Sequence, residues 1–164
     1  SLGFKTSPLT SGLIKNTPAL ADINPDDFDA IFLVGGQSPM VSMIDNTGVH
    51  QFVADFHATG KITAAVCHGT CVLLKAKDAE GNLIVTGKTW TGFANSEERY
   101  AESAAGQKIQ PFWIEDEAAK IEDTNFITGG LLAEFAVRDG NLITGQQQVS
   151  SAATARKVIE ALGH

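Results

Sequence analysis

The sequence predicts an α/β fold, a three-layer sandwich of helices around a mostly parallel sheet. Three stretches carry that expectation. Asp29 to Val34 is a continuous apolar run that ends at Gly35-Gly36, as expected of a strand buried on both faces. Val49, Phe52, Val53 and Phe56 fall at i, i+3, i+4 and i+7, which places them on one face of a helix. Ile62 to Val66 is a second short run of β-branched and small residues. Strand, helix and strand in that order build a parallel sheet with its helices packed on the faces.

The remaining elements follow in chain order. Residues 1–26 are rich in Ser, Thr, Pro and Asn and hold no sustained period, so an irregular lead-in is expected, with a short helical turn near Leu13. The amphipathic helix closes at Gly60. After the strand ending at Val66, a helix runs to about Lys75. Leu83 to Val85 reads as a further strand, followed by a connection from Gly87 to Phe93. A helix starts near Asn95 or Ser96, and another covers Phe112 to Ile121, where Ile114, Ala118 and Ile121 share a face. Phe135 to Val137 and Leu142 to Thr144 flank Asp139-Gly140-Asn141, a turn suited to a hairpin. Val149 to Leu162 closes the chain as a helix with Ala155, Val158, Ile159 and Leu162 on its apolar stripe.

Composition narrows the function. The 164 residues are 43% hydrophobic and 19% charged, with a net charge of -7. That fits one globular domain with a proper core and argues against nucleic acid or an anionic membrane as the main partner. No apolar stretch approaches the ~20 residues of a membrane span. Two cysteines four residues apart on one helix cannot close a long-range disulfide, so a reducing, cytoplasmic setting is expected. They also give too few sulfur ligands for a metal site, and no His or Cys cluster completes one.

Chemistry concentrates at Cys67-His68-Gly69-Thr70-Cys71. A buried strand that stops at a nucleophilic side chain, turns sharply and enters a helix is the layout of a nucleophile elbow. A thiol at a helix N-terminus faces unpaired N–H groups, which favour the thiolate. Cys67 is therefore the candidate nucleophile. Cys71, one turn further on, reads as a small core residue. His50 and His57, on the amphipathic helix, read as surface residues.

Five stretches then identify a resemblance: Asp-Phe-Asp-Ala-Ile-Phe-Leu-Val-Gly-Gly (27 to 36), Ala-Val-Cys-His-Gly-Thr (65 to 70), Thr-Gly-Phe-Ala-Asn-Ser-Glu-Glu (91 to 98), Pro-Phe-Trp-Ile-Glu-Asp (111 to 116) and Asp-Gly-Asn-Leu-Ile-Thr-Gly-Gln (139 to 146). In order and spacing the chain resembles the ThiJ/PfpI superfamily, of flavodoxin-like, class I glutamine amidotransferase-like fold. Its Thr-Gly-Phe and Glu-Glu segment is most similar to the subgroup of glutathione-independent glyoxalases (glyoxalase III) and stress chaperones. The resemblance implies Cys67 as nucleophile, His68 as general acid/base and Glu98 as the acid that orients the histidine. Glu97 is the alternate acid if the register moves by one residue. It also implies an oxyanion hole made by the backbone N–H groups of Gly36 and His68. Gln37 stands where the family commonly has a histidine.

From this resemblance the expected activity is cofactor-independent conversion of methylglyoxal or a related 2-oxoaldehyde to a hydroxy acid (a D-lactate dehydratase, a lyase). A cysteine amidase or peptidase of the PfpI type and a redox-sensing stress chaperone are the alternatives. A homodimer is expected. Family members begin with a strand and helix that bring a glutamate to the thiol, whereas the first glutamate here is Glu80. The 164 residues are accordingly expected to be the C-terminal part of a longer chain, a single domain to which an N-terminal fragment of the same protein adds that strand, helix and Glu.

Overall fold

Strands β1 (Ala30–Leu33), β2 (Ile62–Val66), β5 (Ala136–Asp139) and β6 (Leu142–Gly145) form a sheet in the order β1-β2-β6-β5. The structure, a computed structural model, describes Ser7, Thr10, Gly12 and residues 15–164. β1 and β6 both pair parallel to β2, Leu33 facing Ala65 and Gly145 facing Val66, while β5 and β6 form the antiparallel hairpin expected at Asp139-Gly140-Asn141. β2 is buried at every residue, as the unbroken apolar run requires. The short strands β3 (Thr89–Trp90) and β4 (Asn125–Phe126) make a separate parallel pair.

Helices cover both faces. One face carries α1 (Pro39–Ser42), α2 (Thr47–Ala58), a 3-10 helix over Cys67–Leu74, and beyond it α3 (Asn95–Ala105) and α4 (Ile114–Ala118). α2 starts where Asn46 caps it, its side chain accepting from the Val49 N–H at 3.2 Å. Val53, Ala54, Leu73, Val85, Trp90 and Ile114 sit in the core on that side, each at most 1% exposed. The other face carries α5 (Ser151–Ala161), whose Val158 and Ala161 pack, as Ala30 does, on Ile62, Ala64 and Ile143. The three-layer α/β arrangement is the one the sequence predicts.

Several elements differ from expectation. Leu83 to Val85 is no strand. Leu83 makes one antiparallel bridge to Lys77 and the chain then turns, so these residues are core plugs in a loop. The strand lies later, at Thr89–Trp90, inside the expected connection. The helix expected over Phe112 to Ile121 is confined to Ile114–Ala118, because Trp113 is extended (φ -110, ψ 134). Phe135 stays outside its strand, its N–H donating to the Ser150 Oγ. On α5 the fully buried residues are Ala153 and Thr154; of the expected stripe Val158 packs on the sheet, while Ile159 and Leu162 are exposed. Two single 3-10 turns, Leu20–Asp22 and Pro25–Asp27, interrupt the irregular lead-in. The turn expected at Leu13 lies outside the described residues. No helix among the described residues is long and apolar enough to cross a membrane.

Candidate active site

At the C-terminal end of β2 the chain turns on Cys67, which has φ 59, the left-handed region that costs a non-glycine residue energy and is held only where surrounding structure enforces it. The neighbours do enforce it. A β-carbon at Gly69 would stand 2.7 Å from the Leu33 carbonyl oxygen, so the first turn after the cysteine is pressed onto the end of β1, and only glycine allows that approach. The Thr70 hydroxyl closes the turn by donating to the Cys67 carbonyl at 2.7 Å. The helix that follows is 3-10 rather than α, with all eight residues buried, the narrower coil fitting between β1 and the helices outside it.

The side chains converge. Cys67 Sγ lies 3.4 Å from His68 Nδ1, and His68 Nε2 lies 3.0 Å from Glu98 Oε1. His68 and Glu98 are each 1% exposed, and Cys67 is 7% exposed. Glu98 comes from the first turn of α3, whose N–H groups suit a carboxylate. With both ring nitrogens protonated, His68 donates to the sulfur on one side and to the carboxylate on the other.

The electrostatics follow from these contacts. Burial opposes ionisation of Cys67. The hydrogen bond and charge of His68, with the backbone N–H groups of Gly36 and His68 at the sulfur, outweigh burial and hold the thiol below its ordinary value. Burial also disfavours a charged His68, but the bonds and charges of Cys67 and Glu98 raise it to about 9. Both shifts favour a thiolate beside an imidazolium. Cys71 has no such support: burial pushes it up to about 12, and its thiol donates to the Pro39 carbonyl at 3.5 Å. Gly36, at φ 96, turns the chain after β1 so that its N–H reaches the Cys67 sulfur beside that of His68. Both donors expected from the resemblance therefore face the same atom.

Glu97 goes elsewhere. Its Oε1 accepts from Gln146 Nε2 at 2.7 Å and from the Leu132 N–H at 3.2 Å, so of the two adjacent acids only Glu98 meets the imidazole. His50 and His57 are half-buried rather than on the surface. His50 Nε2 lies 2.9 Å from the Met43 carbonyl oxygen, and burial, with Lys88 nearby, lowers the pKa of His57. Among the described residues no three His, Cys, Asp or Glu side chains gather as a metal site would need.

Two neighbours of His68 escaped sequence reasoning. Phe93 stacks on the imidazole with ring centroids 3.9 Å apart; it lies in the Thr-Gly-Phe stretch, which was the available signal. Gln110 is 3% exposed and places its Nε2 3.4 Å from His68 Nε2. It comes from a loop with no periodicity to mark it.

A strained cysteine elbow at the C-terminal edge of a parallel sheet, with a carboxylate-bound histidine beside it, defines an α/β protein with a buried Cys-His-Glu cluster at the sheet edge. The chain belongs to the DJ-1/PfpI family, whose pattern it matches over residues 12–161. It is 31% identical over 150 residues to "Probable glutathione-independent glyoxalase hsp3104" of Schizosaccharomyces pombe, the match covering 91% of this chain and 68% of that protein. It is 27% identical to "Glyoxalase 3" of Candida albicans, covering 90% of this chain and 64% of that one. Among solved structures, glyoxalase III from Candida albicans superimposes with a TM-score of 0.80 at 25% identity, over 98% of this chain and 67% of that one. The Francisella tularensis Rapid Encystment Protein 24 kDa gives 0.87 at 28% identity, over 97% and 69%. The chain thus spans about two thirds of the length of these relatives.

Proposed function

We propose that the protein converts methylglyoxal or a related 2-oxoaldehyde to the 2-hydroxy acid without glutathione, with Cys67 as nucleophile, His68 as general acid/base and Glu98 as the residue that orients the imidazole. The observation that carries this reading is the Cys67–His68–Glu98 relay at 3.4 and 3.0 Å in a chain whose relatives over nine tenths of its length are named glyoxalases.

The chemistry balances with water alone. The Cys67 thiolate adds to the aldehyde carbon, forming a C–S bond and an oxyanion that the N–H groups of Gly36 and His68 would hold. Loss of the proton on that carbon gives an enediolate. Protonation at the neighbouring carbon leaves a 2-hydroxyacyl thioester on Cys67. Water then adds to the thioester, the C–S bond breaks, and the hydroxy acid departs as the thiolate returns. The aldehyde carbon is oxidised and the ketone carbon reduced, so no external redox partner is required. His68, or a carboxyl group supplied from outside the described residues, moves the proton between the two carbons.

That second carboxyl belongs to the same proposal, as a strand and helix of the same protein laid along β1. Its support is the edge of the sheet at β1, which no strand among the described residues covers and where Phe28, Phe32 and Val34 are 46%, 38% and 60% exposed. The homodimer and a cytoplasmic location are likewise parts of this reading, resting on the family. The test is lactate formation from methylglyoxal without glutathione, by the wild type and by Cys67→Ala. Turnover lost in Cys67→Ala supports the reading. Amide or peptide hydrolysis instead, or oxidation of Cys67 with no turnover of any aldehyde, replaces it with the amidase or chaperone alternative.

A further inference from the structure

Glu97 is 1% exposed, makes no hydrogen bond to His68 and has three donors on its carboxylate: Gln146 Nε2 at 2.7 Å and the Leu132 N–H at 3.2 Å on Oε1, and the Ser96 hydroxyl at 3.3 Å on Oε2. Such an arrangement has a purpose to find, because an acid at this depth is retained only with its hydrogen bonds made. Two of those donors lead to one segment. Gln146 also accepts from the Gly129 N–H at 2.6 Å, Gln147 donates to the Ala133 carbonyl at 2.7 Å, and the Ser150 hydroxyl accepts from the Phe135 N–H at 3.0 Å. Residues 127–135 contain neither helix nor strand. Their main chain is held by buried side chains, and Leu132 is held at φ 54.

The location of this segment gives the clasp a use. Gly145 pairs with Val66, so Gln146 follows β6 at the sheet edge where Cys67 follows β2. Glu97 directly precedes Glu98. One anchor is thus the chain neighbour of Glu98 and the other follows the strand paired with β2, and Leu131 and Leu132, 49% and 37% exposed, are displayed from a loop tied to that edge. We propose that Glu97 is a positioning residue that clasps the Gly129–Ala133 loop over the rim of the Cys67 site, so that the loop's leucines set the size and apolarity of what reaches the thiol.

This rests on Cys67 as the reacting group, and the readouts need no turnover. In the wild type, the Leu132 amide should exchange slowly with deuterium although it lies outside regular structure; exchange at the rate of a free amide overturns the proposal whatever any variant does. In Glu97→Ala the same amide should exchange at least about tenfold faster. A bulky aryl maleimide should then gain on iodoacetamide in the rate of labelling Cys67. Glu97→Gln keeps an acceptor at Oε1 and should restore both properties. Equal changes for both reagents would place Glu97 on the His68 relay instead and overturn the clasp. Failure of Cys67 to label at all would count against the catalytic reading, while the exchange data would still judge the loop.

Discussion

Gly35 lies against Cys67 so closely that a β-carbon on it would stand 2.5 Å from the Cys67 Cβ and 3.0 Å from the sulfur. The end of β1 and the elbow after β2 are one packed unit, and the Val66 carbonyl oxygen, 2.8 Å from the same point, leaves no direction for relief.

Gly35→Ala should therefore damage the site as well as the fold. Overpacking at a rigid backbone contact costs about 1–3 kcal/mol, which urea denaturation would read. The Cys67 alkylation rate should also fall, since the sulfur would leave the Gly36 and His68 N–H groups. Wild-type stability with wild-type thiol reactivity would show that the two elements are not rigidly packed.

The pH dependence has a defined sign. His68 keeps its proton up to about 9 because Cys67 and Glu98 face its two nitrogens. As general acid it needs that proton, so turnover should decline as pH rises through about 9. Glu98→Gln keeps the shape and removes the charge. The alkaline limb should then move down toward the ordinary histidine value, with activity reduced by about 10²–10⁴-fold. A limb that stays in place in Glu98→Gln, but moves in Glu97→Gln, would reverse the roles of the two acids. The full kcat profile of each variant decides it.

The two thiols should separate cleanly. Between pH 6 and 9, iodoacetamide should modify Cys67 alone, because Cys71 is fully buried and pushed up to about 12. Cys71→Ala should retain Cys67 reactivity and lose a small amount of stability, about 1 kcal/mol for one buried thiol. Peptide mapping after labelling reads the first expectation and thermal denaturation the second. Modification of Cys71 before Cys67 would contradict the elbow.

What the sequence discloses depends on how local the cause is. The elbow was legible because its determinants are contiguous: a buried strand, a cysteine and a glycine that permits close approach. The hairpin was legible for the same reason, since Gly140 supplies the positive φ (62) its turn needs. The resemblance pointed to Glu98 with Glu97 as the alternate, but the residue pattern by itself did not separate them. Adjacent helical residues point about 100° apart, and only the packing of α3 shows which one meets His68. Gln110 and the loop over residues 127–135 were silent because their order comes from distant side chains, Glu102 holding the Ile109 N–H at 3.1 Å and Glu97 that of Leu132. Ile159 and Leu162 misled because hydrophobicity alone does not say which apolar side chains face inward: Val158 of the same stripe and the small Thr154 reach the sheet, while Ile159 and Leu162 point to solvent.

Phe93 offers the last test, one that separates packing from chemistry. Its ring stacks on His68 at 3.9 Å with 25° between planes and is 6% exposed. Phe93→Ala removes a buried ring and should cost about 3–5 kcal/mol, so loss of activity there would be ambiguous. Phe93→Leu preserves most of the volume while removing the π face that favours an imidazolium lying over it. The expected result is a modest loss of stability with a clear fall in kcat. The alkaline limb should also shift to lower pH, because the charged form of His68 loses one of its stabilising contacts. Urea denaturation and the kcat profile, measured on the same preparations, distinguish the outcomes. If Phe93→Leu keeps both the wild-type kcat and the wild-type limb, the ring is filler, and Glu98 with Cys67 suffices to hold the imidazole.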